Sequence, residues 1–304
     1  MYFMFSENRN SAVILVGKGL VGDSIYTNLI QQGYYLEESH RLDWSKTECI
    51  KLISAFISHK ISIIDRECQL TVLWSAGKLG FSATNDEIVS EQNVFMNLCQ
   101  SLSRLNFVEK VRPRFVLFSS IGGLFEGQSA ISDCSSPNPL RPYGVLKLYQ
   151  EETAQRVMTN FHVIVLRLSS VYGPIRKNLR MGLIQVLILN GLQRSNSMIF
   201  GTLDTLRDYV FVDDIARFTV ELVGRRYFEG KVFHLVSGKP SSILQIQYIV
   251  ERLICRPLLL SFSKEKQNAL DIPCVKNSYA GLWLPSSLEV NIKKIYVEWL
   301  SRND

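Results

Sequence analysis

Tyr143 and Lys147 stand four residues apart, a spacing that puts a phenol and an ammonium on one face of a helix. A neighbouring cation favours the phenolate, so such a pair can pass a proton to or from a hydroxyl or carbonyl oxygen near neutral pH. The alternative is a half-exposed helix face with a solvated lysine. Ser119 and Ser120 follow the apolar run Phe115 to Phe118, at the strand end where open α/β sheets bind ligands. A hydroxyl there can hydrogen-bond the carbonyl that a tyrosine polarises, or it can satisfy local backbone groups. Gly17-Lys18-Gly19-Leu20-Val21-Gly22 fits G-x-G-x-x-G, in which glycines let the backbone turn tightly and approach a pyrophosphate. The free N–H groups and positive dipole end of the following helix then meet the phosphates. Arg207 opens the run Arg207 to Asp214; its guanidinium suits bidentate contact with a diphosphate. Asp213 or Asp214 suits the cap of the helix that follows.

These groups require elements to hold them. Ala12 to Val16 is an unbroken apolar run ending at Gly17, which predicts a strand buried on both faces. Val21, Ile25 and Leu29 recur every four residues before Gly33, a helix with its stop. Leu70 to Trp74 predicts a second convincing strand, followed by Ser75-Ala76-Gly77. A helix over Ile88 to Leu105, a strand over Phe115 to Phe118, a helix around Tyr143 to Met158 and a strand over Val163 to Leu166 continue the alternation. Such alternation predicts an α/β protein with a doubly wound parallel sheet. Tyr34 to Glu38, where another strand belongs, is poor material for a buried one. Beyond Pro174 the pattern loosens: helices over Leu183 to Leu192, Asp213 to Val223, Ser242 to Leu253 and Leu288 to Leu300, and a strand over Val232 to Val236. The expected division is a nucleotide-binding domain over 11–173 and a smaller, mainly substrate-binding part over 174–304, with about 205–238 returning to the first.

Composition narrows the class. The chain has 304 residues, 46% hydrophobic and 20% charged, which excludes a disordered or fibrous protein and suffices to bury a full core. Its net charge is +6, but the basic residues lie in short groups such as Arg176-Lys177 and Arg225-Arg226. That argues against a nucleic-acid partner and is compatible with an anionic small molecule. Six cysteines without a C-x-x-C pair and four histidines predict neither a zinc site nor a disulfide framework. His162 and His234 read as structural. Met1 to Asn10 lacks a basic leader region, and the apolar runs are too short to cross a bilayer. A cytoplasmic protein without a membrane partner is expected.

Taken together these residues resemble the extended short-chain dehydrogenase/reductases, the NAD-dependent epimerase/dehydratase family acting on nucleotide sugars. Gly17 to Gly22 is similar to its glycine turn and Trp74-Ser75-Ala76-Gly77 to the segment under the cofactor. Gln92-Asn93-Val94 resembles its Asn-Val pair, Phe118-Ser119-Ser120 its active-site serine strand, and Pro142 to Lys147 its Pro-Tyr-x-x-x-Lys. Arg167 to Pro174 follows its Arg-x-x-Asn-x-Tyr-Gly-Pro, and Arg207 to Asp214 its Arg-Asp-Phe-Val-x-Val-x-Asp. Val232 to Gly238 and Ser242 resemble its late strand, glycine and helix. The third hydroxyl of the family's serine segment is Ile121 here, the substrate-contacting asparagine is Ser170, and the tyrosine of the closing Tyr-Gly is Phe125.

The resemblance implies a Rossmann-like fold and hydride transfer at a sugar carbon, usually C4. It assigns Tyr143 as the acid/base group, Lys147 as the residue that holds the nicotinamide ribose and tunes the tyrosine, and Ser120 as the assisting hydroxyl. Gly17, Gly19, Leu20, Val21, Gly22, Ala76 and Gly77 would line the cofactor, and Ser120, Tyr143, Ser170 and Arg207 the substrate. Leu42-Asp43-Trp44 would contact adenine. An acid about 20 residues beyond the glycines reads the ribose of NAD, and an arginine takes the 2′-phosphate of NADP. The count from Gly22 lands on His40 and Arg41, with Glu37 and Glu38 just upstream. That favours NADP over NAD, and hence a 4-keto nucleotide-sugar reductase. A 4-epimerase that retains NAD and a non-enzymatic dinucleotide-binding protein are the alternatives. The resemblance also implies a homodimer built on the Tyr-x-x-x-Lys helix and its predecessor, with Leu146, Tyr149, Phe95 and Leu98 as the expected contacts.

Overall fold

The apolar runs of the sequence become the central strands of one sheet. The computed structural model describes residues 1–7, 10–41, 43, 47–63, 68–106, 113–176, 179, 181–225, 232–263, 271–272, 274 and 282–302. In chain order the elements are β1 (Tyr2–Ser6), β2 (Ser11–Val16), α1 (Leu20–Gln31), β3 (Tyr35–Ser39), α2 (Thr47–Ile63), β4 (Gln69–Trp74), α3 (Asn85–Ser103), β5 (Arg114–Ser120), α4 (Ile121–Phe125), α5 (Pro142–Val157), β6 (His162–Leu168) and β7 (Ser170–Tyr172). There follow α6 (Leu183–Gln193), β8 (Asn196–Phe200), β9 (Leu206–Arg207), β10 (Tyr209–Phe211), α7 (Val212–Gly224), β11 (Val232–Leu235), β12 (Ser241–Ser242), α8 (Ile243–Ile254), β13 (Leu259–Ser263) and α9 (Leu288–Ser301).

Among the described residues, seven strands form one sheet in the order β11-β6-β5-β4-β2-β1-β3. β2 runs parallel to β4, with Ser11 opposite Gln69 and Val16 opposite Trp74, and β4 runs parallel to β5. Every residue of β2 is buried, as a strand covered on both faces requires. The doubly wound parallel sheet expected from the sequence is present, with one antiparallel strand added near its edge. β1 is antiparallel to both its neighbours, with Tyr2 opposite Leu15 of β2 and opposite Ser39 of β3. The doubtful segment after α1 is therefore an edge strand, exposed along most of its length, and its glutamates suit an edge that must not pair further.

Two compact units are distinguished: Met1–Leu124, Pro139–Arg167 and Ala216–Phe233 in the first, and Phe125–Asn138, Leu168–Ile215 and His234–Asp304 in the second. The core of the first packs Trp74 against Phe95 and Phe95 against Phe115, with ring centroids 5.9 and 6.4 Å apart. α3 starts from a capping box in which Thr84 and Glu87 satisfy each other's backbone N–H groups, fixing the helix that lines this core. Phe95, Leu98 and Leu146, expected to meet a second copy, are buried inside the chain; the outer residues of the two helices include Val89 and Val145, 53% and 47% exposed. The second unit gathers Tyr172, Leu187, Phe211, Ile246, Val250 and Ile292 into its own core. No helix among the described residues is long and apolar enough to cross a membrane.

Candidate active site

The glycine turn joins β2 to α1, and its three glycines differ in their surroundings. Gly17 has φ +95°, and a Cβ there would lie 2.6 Å from the backbone nitrogen of Ala76; only glycine turns the chain this sharply against the end of β4. A Cβ on Gly22 would come 2.2 Å from the Gly17 carbonyl oxygen, so this glycine lets the helix pack onto the turn. A Cβ on Gly19 would meet nothing within 4 Å. Open space stands where the backbone must approach a pyrophosphate, and the turn fits a dinucleotide. Gly19 is the N-cap of α1 and offers no side-chain hydrogen bond, so the first-turn N–H groups of Leu20, Val21 and Gly22 lack a side-chain cap. Ser75 Oγ donates to the carbonyls of Val16 and Gly17 at 3.1 and 2.8 Å, tying the segment with Ala76 and Gly77 to the turn.

Tyr143 and Lys147 sit on α5, whose first turn begins with Pro142, a residue pre-set for that position. A Cβ on Gly144 would fall 2.0 Å from the Gly123 carbonyl oxygen, so glycine beside the tyrosine lets α5 close on α4. The Tyr143 ring packs on Phe81 with centroids 5.6 Å apart. Glu151 holds α5 to β6 by accepting from Arg167, with Nη2 to Oε2 at 2.7 Å and Nε bridging both oxygens at 3.1 Å. Lys147 Nζ donates to the Phe118 carbonyl at 3.3 Å and to Gln150 Oε1 at 3.0 Å. The ammonium is thereby brought to the carboxyl end of β5, where Ser120 lies. Ser120 Oγ accepts from Gly123 N–H at 3.1 Å, which leaves its own hydrogen to donate. Ser119 Oγ is buried without a hydrogen-bond partner among the described residues, and Ile121 is fully buried.

Sequence reading missed a carboxylate here. Asn93 of α3 is exposed, while Glu91, two residues earlier, is buried and accepts from Gln150 Nε2 at 3.4 Å. Burial raises its carboxyl above the ordinary range, opposed by the charge of Lys147 and hydrogen bonds from the Lys78 backbone and Gln150. A polar residue on the otherwise apolar face of Ile88, Val94, Phe95 and Leu98 was the available signal.

The residues expected on the adenosine side belong to β3 and the segment after it. Arg41 is exposed after β3, and Asp43 Oδ1 pairs with Lys78 Nζ at 3.3 Å; Leu42 and Trp44 lie outside the described residues. Glu37 and Glu38 meet the buried ammonium of Lys60 at 3.1 and 2.9 Å, and Glu38 also contacts His40 at 2.6 Å. β1 stands between β3 and the glycine turn.

In the second unit, Ser170 N–H donates to the Asp208 carbonyl at 3.0 Å, which brings Ser170 near Arg207. Arg207 pairs with Ser241 across the β9–β12 ladder and bridges Ile272. Asp208 is buried and accepts from the backbone N–H groups of Ser237 and Gly238 and from Ser237 Oγ, each at 2.8 Å. Asp213 and Asp214 lie inside α7, which begins at Val212; the cap expected of them is corrected. Asp214 instead accepts from Ser286 N–H and Oγ at 2.8 and 2.7 Å, and Asp213 pairs with Lys294 at 3.1 Å.

Residues 13–235 match the family model described as NAD dependent epimerase/dehydratase family. A protein of Methanocaldococcus jannaschii described as a putative UDP-glucose 4-epimerase is 23% identical over 95% of this chain and 97% of its own. An uncharacterized UDP-glucose epimerase of Bacillus subtilis is 29% identical, the match spanning 54% of this chain and about half, 52%, of that relative. The crystal structure of UDP-glucuronic acid 4-epimerase from Bacillus cereus, in complex with UDP-glucuronic acid and NAD, superposes with a TM-score of 0.69 at 19% identity. It covers 95% of this chain and 99% of that one, which is a likeness of fold.

Proposed function

This chain belongs to the NAD dependent epimerase/dehydratase family, and from that premise we propose that it is a nucleotide-sugar 4-epimerase working with NAD. The observation that supports the reading is the Lys147 ammonium, 5.9 Å from the Tyr143 ring and bonded to the Phe118 carbonyl two residues before Ser120, in the same unit as a glycine turn that fits a dinucleotide. The relatives described as a putative UDP-glucose 4-epimerase and a UDP-glucose epimerase favour epimerisation over the reductase expected from the sequence. Tyr143 holds and returns the proton of the sugar hydroxyl, Lys147 holds the nicotinamide ribose, and Ser120 donates to the reacting oxygen. Bound NAD supplies hydride acceptance and return at the sugar carbon. Gly17, Gly19, Leu20, Val21, Gly22, Ala76 and Gly77 hold the dinucleotide, while Ser170 and Arg207 contact the sugar and its diphosphate. The substrate class is a uridine diphosphate sugar, as in the two relatives' descriptions.

A second reading, an NADPH-dependent 4-keto reductase, is favoured by one observation: Glu37 and Glu38 are engaged by Lys60, and Arg41 follows them. Mass spectrometry of cofactor released from purified protein, with NMR of UDP-sugars after incubation, separates the two. Retained NAD and C4 epimers without net oxidation support the epimerase; stoichiometric NADPH consumption on a 4-keto sugar replaces it. We also propose a homodimer through the outer faces of α3 and α5, including Val89 and Val145. Light scattering that finds a monomer at micromolar concentration removes that claim.

A further inference from the structure

We propose that Glu91 is a positioning residue for Lys147, acting through the side-chain amide of Gln150; the proposal rests on the reading of Tyr143 and Lys147 as the proton-transfer pair. Glu91 comes from α3, and Gln150 and Lys147 come from α5. The three are 7%, 1% and 8% exposed, so water does not substitute freely for their contacts. Lys147 Nζ donates to Gln150 Oε1 at 3.0 Å, and Gln150 Nε2 donates towards Glu91 Oε1 at 3.4 Å.

An amide has one acceptor end and one donor end, and its two orientations are nearly equal in shape. Beside an ammonium alone, Gln150 has a reason to turn its oxygen inward but nothing to hold its nitrogen. A carboxylate at the far end removes the ambiguity, because an ionised carboxylate only accepts. Oxygen towards Lys147 and nitrogen towards Glu91 satisfies both ends; the flipped amide would set NH₂ against the ammonium and oxygen against the carboxylate. Once Gln150 is fixed, two of the three ammonium hydrogens are directed, one to Gln150 and one to the Phe118 carbonyl. The third is then left with a defined direction, as a lysine that must meet one ribose hydroxyl and steady one phenol requires.

Two further observations fit this role. Burying a carboxylate without a directly bonded cation is costly, and the neighbouring inward positions of α3 hold Val94, Phe95 and Leu98; a wholly apolar residue would serve packing better. Glu91 also accepts from the Lys78 backbone N–H, just after Gly77. The same carboxylate thus joins the segment tied to the glycine turn with the lysine on α5.

The test is a double-mutant cycle between Glu91→Gln and Lys147→Ala, read in kcat, KM for the nucleotide sugar, NAD affinity by calorimetry, and melting temperature. Glu91→Gln keeps the shape but loses the acceptor-only end. Misplacement of a catalytic group by a fraction of an ångström is expected to lower kcat about tenfold, leave KM within about threefold, and weaken NAD. In the Lys147→Ala background Glu91→Gln should cost nothing more in either kcat or NAD affinity. Gln150→Met breaks the same link from α5 at similar volume and should reproduce the loss, which guards against a fold defect special to position 91. Wild-type turnover in Gln150→Met, or a Glu91→Gln loss that multiplies unchanged with that of Lys147→Ala, overturns the proposal. If Lys147→Ala itself leaves turnover and NAD affinity intact, the pair assignment fails first, and this proposal with it.

Discussion

The ammonium of Lys147 lies 5.9 Å from the ring centroid of Tyr143, one turn along α5, and donates to the carbonyl of Phe118 on β5. One helix thus presents both groups to the carboxyl end of a central strand. Tyr143→Phe removes only the phenolic oxygen and keeps the ring on Phe81. Proton transfer by a placed group contributes about 10² to 10⁴-fold, so kcat is expected to fall by that order while NAD affinity and melting temperature hold. More than about a tenth of wild-type turnover would sink the role of Tyr143.

Ser120 holds Gly123 N–H and keeps a hydrogen to donate, so Ser120→Ala should do two separable things. The lost cap lowers stability by about 1 kcal/mol. The lost hydrogen bond to the reacting oxygen, worth about 1.5 kcal/mol, slows turnover about tenfold. A protein that melts earlier but turns over normally would leave Ser120 a cap and nothing more.

Arg207→Ala is expected to weaken nucleotide-sugar binding by on the order of 2 kcal/mol, about thirtyfold, because a charge-assisted contact to a diphosphate is lost. NAD affinity should not change. Titration of each ligand separately checks this, and equal losses for both would mark a structural arginine.

Glu37 and Glu38 are bound to Lys60 rather than presented to a ligand. Glu38→Gln should therefore leave NAD affinity nearly unchanged, whereas loss of a carboxylate that reads a ribose hydroxyl costs about tenfold or more. The clamp should show instead in stability against pH. Hydrogen bonds from Lys60 and then His40 hold Glu38 below the ordinary carboxylate range. Its contribution is therefore complete above the ordinary value of 4.5 and lost as pH falls through the lowered one. Burial works to lower Lys60, but the bonds to Glu38 and Glu37 outweigh it and leave it raised. That contribution is complete below the ordinary value of 10.5 and lost as pH rises through the raised one. Urea midpoints measured from about pH 3 to pH 7 should fall more steeply on the acid side for wild type than for Lys60→Met.

The sequence made the βαβ frame readable because buried parallel strands are continuous apolar runs: Ala12 to Val16 lies within β2, and Leu70 to Trp74 within β4. The helix expected over Tyr143 to Met158 is α5, Pro142–Val157. β1 was not expected because Tyr2 to Ser6 is short, and nothing in so brief an apolar run says which strand it will join. Spacing located the tyrosine and lysine, since i and i+4 share a helix face whatever surrounds them. It could mark Glu91 as out of place on an apolar face but could not pair it with Gln150, nor Glu37 and Glu38 with Lys60, because those contacts join residues of different elements. Counting from Gly22 to His40 and Arg41 measured distance along the chain, while β1 set the distance across the sheet.

That same strand bears on how the protein should be handled. Met1 N donates to the His40 carbonyl at 2.7 Å, and His40 N–H returns a bond to Met1 at 2.8 Å, so the ladder runs to the first residue. Tyr2 faces Leu15, two residues before Gly17. An affinity tag joined at Met1 would emerge at the carboxyl end of β2, beside the glycine turn, and crowd the approach proposed for the dinucleotide. Trimming the first six residues would be worse than trimming a tail. It would pull an interior strand from the sheet, strand β3 without its partner, and leave the apolar edge of β2 open to recruit the same edge from another molecule.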